Sequence, residues 1–190
     1  MRAPYEAQTR DMITQNFRPS QKALHWATFL LVFGLYGITY IDDLFDRGSA
    51  GRAWVWWLHI SFGLLLVPVV LARIAARLRF GAPALPSAMN RLERLGAHGA
   101  HLGLYALLIV TPALGVITAW YRNMPASFFG LFVIASPFAP DRDAARQVQH
   151  WHNLAATAII VLAVAHAAAA LWHHFIRRDD VLARMLPDRV

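Results

Sequence analysis

His152 and His166 sit on one strongly apolar stretch, residues 151–172. Their separation of 14 residues is close to four full helical turns at about 100° per residue, so both imidazoles face the same way. At about 1.5 Å per residue they lie roughly 21 Å apart along the helix axis. Two polar rings on one face, near opposite ends of an apolar helix, are costly in a membrane unless something uses them. Neutral imidazole offers a ring-nitrogen lone pair without adding charge to lipid. The chemistry that would use both rings is axial ligation of two stacked haem irons.

Such rings need rigid carriers at the right depth, and the composition supplies them. The chain has 190 residues, 57% hydrophobic and only 15% charged, too apolar for an ordinary soluble domain. Four apolar runs, at about 23–41, 54–72, 97–121 and 151–172, each approach the roughly 20 residues that span a bilayer as a helix. Pro68 and Pro112 fall inside two of them, which membrane helices tolerate. Short connections favour antiparallel neighbours, so the expected fold is all-α: an integral membrane four-helix bundle, one membrane domain over 1–190. Gly34, Gly37, Ala155 and Ala156 would allow close packing or leave room for a flat cofactor. With no cysteine, the chain cannot build a disulfide, an iron–sulfur cluster or a thioether-attached haem. The first 22 residues are polar, without a signal-type apolar core, so the first run is expected to be retained.

The basic residues set an orientation. Arg2, Arg10, Arg18 and Lys22 precede the first run; Arg73, Arg77, Arg79, Arg91 and Arg94 surround the second connection; Arg177, Arg178, Arg184 and Arg189 follow the last run. These segments share one side of a four-span protein and hold thirteen basic residues. The other side holds five: Arg47, Arg52, Arg122, Arg142 and Arg146. The positive-inside rule predicts that both termini are cytoplasmic. The net charge of +7 is thereby explained by topology. A nucleic-acid partner is not indicated, because the charge is split among membrane-flanking segments. Lipid is the expected surrounding, and Trp26, Trp54, Trp56, Trp57, Trp120, Trp151 and Trp172 fall near run ends, as an aromatic belt would. Between runs, Pro83 and Pro86 end one helix and Asn90 starts the next. Residues 126–140 are apolar but too short to span, and are expected to lie in the outer interface or cap the bundle. Residues 141–149 read as a short amphipathic lead into the last helix.

The topology sorts the histidines by depth. His25 on the first run and His166 on the last are inner; His59 on the second and His152 on the last are outer. Each pair takes one ring from each of two helices at matching depth, the arrangement that holds a haem iron between axial imidazoles in a bundle. The bland alternative for any one ring is an interfacial, hydrogen-bonded histidine. Zinc is the competing metal, but the two pairs are too far apart for one tetrahedral site and no cysteine or nearby carboxylate completes either. His150 should point away from the face that carries His152 and His166.

These residues carry a family resemblance. The chain resembles the bacterial four-helix di-haem cytochrome b family of the b-561 type in Ala23-Leu24-His25-Trp26, Trp57-Leu58-His59-Ile60, Ala100-His101-Leu102 with Tyr105, Trp151-His152, and Val164-Ala165-His166-Ala167-Ala168-Ala169. The ending Trp172-His173-His174-Phe175, then Arg178-Asp179-Asp180 and Arg184-Met185, is similar too. The resemblance implies two b-type haems, with His25, His59, His152 and His166 as axial ligands, in a bacterial inner membrane. It also implies an oxidoreductase that takes electrons from superoxide at the outer face and passes them to ubiquinone. Other members of the family carry electrons for a separate redox protein partner.

Further residues have candidate roles. His173 is seven residues beyond His166 and nearly in phase with it. It could bond a quinone carbonyl or a haem propionate, or simply snorkel to the interface. Arg73 is a second candidate for a quinone oxygen or a propionate, its alternative being a positive-inside anchor. His98 and His101, on the third run, are expected to support the inner site by hydrogen bonds, though either could compete with His25 for the iron. The five outer arginines could steer an anion such as superoxide. Bis-histidine ligation leaves no open coordination position, so electron transfer is expected rather than oxygen activation. Three function classes follow: a quinone-linked superoxide oxidase, a haem-bearing electron-transfer subunit docking a partner through 126–140, and a haem-free structural or transport protein, which the paired histidines disfavour.

Overall fold

The structure, a computed structural model, describes residues 16–187. Arg2, Arg10 and Arg189 of the charge count, with most of the polar leading stretch, lie outside the described residues. Four helices dominate: α1 (Pro19–Ile41), α2 (Ala50–Phe80), α3 (Arg91–Tyr121) and α4 (Arg142–Trp172). All four are long and apolar enough to cross a membrane.

The local chemistry explains where each helix starts and stops. Pro19 opens α1, where its missing N–H costs nothing. The Ser49 side chain caps α2 by accepting from Arg52 N at 3.2 Å. Asn90 and Glu93 form a reciprocal capping box on α3, with bonds of 2.9 and 2.8 Å. Asp141 caps α4 through the amides of Asp143 and Ala144. Helix α2 ends at Gly81, whose φ of 73° lies in the region that favours glycine. Helices α2, α3 and α4 each have 31 residues, about 46 Å at 1.5 Å per residue, well beyond a bilayer core of about 30 Å. They therefore outrun the expected spans. Hydropathy marks only the lipid-buried middle, while the capped polar turns continue the same hydrogen-bond ladder into water. The expected lead at 141–149 is part of α4 itself.

Helix α1 packs along α2 and α3 along α4, with thinner contact between α2 and α3. Among the described residues, α1 and α4 scarcely approach each other. Leu66 and Val70 of α2, Leu108 of α3 and Ile159 of α4 form a buried cluster, with Leu31, Val32 and Leu35 of α1 against it. Ile159 lies midway between His152 and His166 in sequence, so this apolar layer separates the two histidine levels. Leu30, Leu102 and Val161 remain 64–73% exposed on the bundle exterior, as lipid-facing side chains do.

The apolar segment between α3 and α4 is not helical. It forms an antiparallel hairpin, β1 (Ala126–Phe128) with β2 (Phe132–Ile134). Phe129 and Gly130 turn it with φ of 49° and 76°. Ser61 of α2, fully buried, anchors the hairpin: its Oγ donates to Ser127 O and accepts from Phe129 N, both at 3.1 Å. Ser61 is two residues past His59, so the hairpin closes the bundle beside that ring. We call this the hairpin end.

The opposite, terminal end is closed by residues 173–187. A π-helical turn, His173–Arg177, follows α4, and Arg178 reverses the chain with a left-handed φ of 53°. The returning strap is tied down by Trp26 Nε1 donating to Met185 O at 3.0 Å and Arg184 donating to Ala84 O at 2.6 Å. The start of α1 and the described C-terminal segment therefore share one end of the bundle.

Candidate functional site

At the terminal end the rings of His25 (α1) and His166 (α4) have centres 6.5 Å apart and planes at 64°. At the hairpin end His59 (α2) and His152 (α4) are 6.2 Å apart at 76°. The depth pairing read from the sequence is the pairing found in the fold. A metal held between two imidazoles needs two metal–nitrogen bonds of about 2 Å each. With the distance from nitrogen to ring centre added at either side, collinear rings lie roughly 6.3 Å apart, estimated from bonds of about that length. Both pairs fit that span.

Among the described residues no group of three or more His, Cys, Asp or Glu is placed to hold a bare metal ion. Two facing imidazoles alone do not make a tetrahedral zinc site. They suit an iron that brings its in-plane nitrogens with it, as a porphyrin does.

His152 is seated by its neighbours. Its Nδ1 lies 2.9 Å from the Thr111 carbonyl. A carbonyl only accepts, so Nδ1 carries the proton and Nε2 keeps its lone pair. A Cβ added at Gly115 would come within 3.0 Å of His152 Cε1 and 3.3 Å of Nδ1. With glycine there the ring keeps its place; a Cβ would require it to give by a few tenths of an ångström. At Gly34 and Gly37, by contrast, an added Cβ would meet nothing within 4 Å. These glycines border open space rather than a close helix contact.

Arg73 reaches the terminal-end pair: its Nη2 is 2.8 Å from His25 Nδ1, and its guanidinium lies 5.3 Å from the Tyr105 ring centre. Arginine only donates, so His25 Nδ1 accepts here. Ligation through Nε2 requires a proton on Nδ1. Ligation and this contact therefore exclude each other, and a liganding His25 would free the guanidinium for an anion. His101 stands 5.2 Å from His166 with ring planes at 64°, closer than the collinear span. His98 is exposed, its Nδ1 2.7 Å from Arg94 O on its own helix, and the fold does not bring it to either pair. His150 is exposed as expected and sits edge-on to Trp151.

His173 is buried at 5% exposure, with Nδ1 2.6 Å from Asp179 Oδ2. Burial pushes the Asp179 carboxyl up, but hydrogen bonds from His173 and Val181, with Arg177 nearby, outweigh it and hold it below the usual carboxylate range. Sequence reasoning had no role for Asp179, Thr111 or Gly115. Only a glycine inside an apolar helix near Pro112 hinted at a seat.

Three of the five arginines assigned to the hairpin side gather at that end. Arg122, Arg142 and Arg146, with Tyr121, Asn123, Pro140 and Ala145, line a cavity of about 470 Å³. Arg146 pairs with Asp143 and Arg52 with Asp42. Among the described residues, Arg122 and Arg142 have no carboxylate partner.

Comparison with known proteins gives the family. Residues 16–188 match the family model described as prokaryotic cytochrome b561. Cytochrome b561 homolog 1 of Escherichia coli is 29% identical over 174 residues, covering 91% of this chain and 98% of that protein. The probable superoxide oxidase CybB of Yersinia pestis is 28% identical over 172 residues, 89% of this chain and 94% of that one. Cytochrome b562 of Cereibacter sphaeroides is 33% identical over 174 residues, with coverage of 89% and 94%. Four membrane-length helices and a match over nearly the whole chain make this a multi-pass protein of the bacterial inner membrane. The chain belongs to the prokaryotic cytochrome b561 family.

Proposed function

We propose that this cytochrome, a single membrane domain, is an oxidoreductase that holds two b-type haems and moves electrons from superoxide at the outer face to ubiquinone. The observation that carries the reading is the pair of imidazole pairs, 6.5 and 6.2 Å between ring centres, at two depths of one bundle. His25 with His166 would hold one iron and His59 with His152 the other. Each haem, when bound, supplies a one-electron site without an open coordination position. The apolar layer around Ile159 keeps water out between the levels. Arg73 is assigned to an anion at the terminal end, a propionate or a quinone oxygen, because it must leave His25 when that ring ligates. His101 supports the same end by its contact with His166. His173 is assigned to the quinone.

The terminal end is assigned to the cytoplasm, since ten of the described basic residues belong to it and five to the hairpin end. The hairpin end then faces outward. There Arg122 and Arg142, without carboxylate partners, would draw an anionic substrate towards the His59–His152 level. Each superoxide gives up one electron and leaves as dioxygen; two electrons and two protons convert one quinone to quinol. The name of the Yersinia relative supports this direction. The test is anaerobic stopped-flow: haem reduction by superoxide, then re-oxidation by added ubiquinone.

A second reading has its own observation. In the hairpin, Leu131, Phe132 and Val133 are 54–77% exposed. This apolar edge suits docking of a redox protein, which would make the chain an electron-transfer subunit. Haem that superoxide leaves oxidised, but a partner protein reduces, would favour it.

A further inference from the structure

The His173–Asp179 pair is built in a way that closing the bundle does not require. The strap over the terminal end is already held by Trp26 on Met185 O, Arg184 on Ala84 O, and Arg177 on Ala88 O at 2.8 Å. An apolar residue at 173 would fill the same buried place without a polar ring to satisfy. Instead the chain inserts a π-helical turn at His173–Arg177 and a left-handed residue at Arg178. These return Asp179 to the ring that opened the turn, and Asp179 N closes onto His173 O at 3.3 Å. The second carboxylate oxygen accepts from Val181 N at 3.2 Å, fixing the carboxylate's orientation.

The pair also spans a boundary. The His173 side chain is 7% exposed and that of Asp179 22%. One partner is buried at the start of the π-helical turn that continues from α4, seven residues past His166 and roughly 10 Å further along the axis. The other partner reaches water. With Nδ1–H donating to the carboxylate, the ring can carry a second proton on Nε2, and Nε2 has no hydrogen-bond partner among the described residues.

We propose that Asp179 is the positioning residue of a proton-delivery pair that protonates the quinone through His173 Nε2; this rests on the quinone reading above. Quinone reduction takes up two electrons and two protons. The electrons come from superoxide, and the protons come from water at the terminal end. For each proton, the Nε2–H bond breaks as an O–H bond forms on the quinone oxygen. Water entering from the terminal end then re-protonates Nε2, the nitrogen left bare, while Nδ1–H stays on Asp179. Asp179 keeps Nδ1–H, holds the ring in one orientation and balances its charge in the protonated state.

The test uses purified, haem-loaded full-length protein. Reduced haem is re-oxidised anaerobically in stopped-flow by a short-chain ubiquinone analogue, in water and in deuterium oxide. Ferricyanide, which takes an electron without a proton, is the comparison oxidant. The variants are Asp179→Asn, Asp179→Glu and His173→Gln. Asn can still accept from Nδ1–H through its one oxygen, giving up the Val181 N bond, and the strap keeps its Trp26, Arg177 and Arg184 ties while the charge is removed. The expected result for Asp179→Asn is re-oxidation by quinone slowed by about 10²-fold, with a larger solvent isotope effect. Re-oxidation by ferricyanide should be unchanged, and Asp179→Glu should recover most of the rate. Quinone re-oxidation of Asp179→Asn at the native rate would overturn the pair's role alone, as would equal slowing with ferricyanide. Native protein that ferricyanide re-oxidises and quinone does not would overturn the quinone reading, and the proposal with it.

Discussion

Gly115→Ala should loosen one haem and leave the other alone. The new Cβ would sit 3.0 Å from His152 Cε1 and 3.3 Å from Nδ1, so the ring must give by a few tenths of an ångström. That shift takes the 2.9 Å bond to Thr111 O beyond about 3.2 Å, the end of the useful range. Loss of such a supporting bond costs about 10- to 100-fold in metal affinity, which is about 1.4–2.8 kcal/mol. Backbone propensity runs the other way, since Ala is about 1 kcal/mol better than Gly inside a helix. The fold should therefore hold while the His59–His152 site weakens. The His25–His166 pair lies roughly 21 Å away along α4 and should not respond. Gly103→Ala is the matched control. Its Cβ is crowded to the same 3.0 Å, but by the end of the flexible Leu162 side chain. The assay is haem loss to excess apomyoglobin, followed by reduced-minus-oxidised spectra. One spectral component should leave Gly115→Ala about 10- to 100-fold faster than native, and Gly103→Ala should match native. Equal retention of both components in Gly115→Ala, or equal loss in both variants, would refute the seating of His152 by Gly115.

Three further outcomes follow from the same geometry. Pyridine haemochrome analysis should find two protohaems per chain, extractable by acidic acetone because no cysteine can attach them; one haem per chain at full occupancy, or zinc without haem, would contradict the paired-site reading. His25→Ala or His166→Ala should remove one spectral component, and His59→Ala or His152→Ala the other, with helicity unchanged by circular dichroism; loss of the same component from His25→Ala and His59→Ala would show the pairing to be wrong. Haem reduction by superoxide in oriented vesicles should be faster from the hairpin end and should slow with salt, as the Debye length falls from about 10 Å at 0.1 M to about 3 Å at 1 M; Arg122→Gln or Arg142→Gln should flatten that salt dependence with both haems kept, and equal reactivity from the two faces would favour the electron-transfer-subunit reading.

Much of this site was legible in the sequence, because it depends on repeat lengths and depth. A helix has a fixed period and rise, so a spacing of 14 puts His152 and His166 on one face at two levels. An even count of spans then assigns His25 and His59 to those levels. Hydropathy similarly marked four lipid-buried middles, and Asn90 with Glu93 marked a helix start, since a capping box is a contact of three residues' reach. What the tertiary structure decided are contacts that depend on how each helix is rotated about its axis and how far apart the helices stand. Arg73 meets His25 across 48 positions, His152 meets Thr111 across 41, and Ser61 meets the hairpin across 66. No local period encodes those rotations. The hairpin at 126–134 was missed because its strands have three residues each and gain their stability from Ser61, not from an alternating pattern. Asp179 is only six residues from His173, yet on a regular α-helix the two would point in different directions at about 100° per residue. Their meeting requires the wider π-helical turn and the left-handed Arg178, a break in regularity that only the folded backbone reveals.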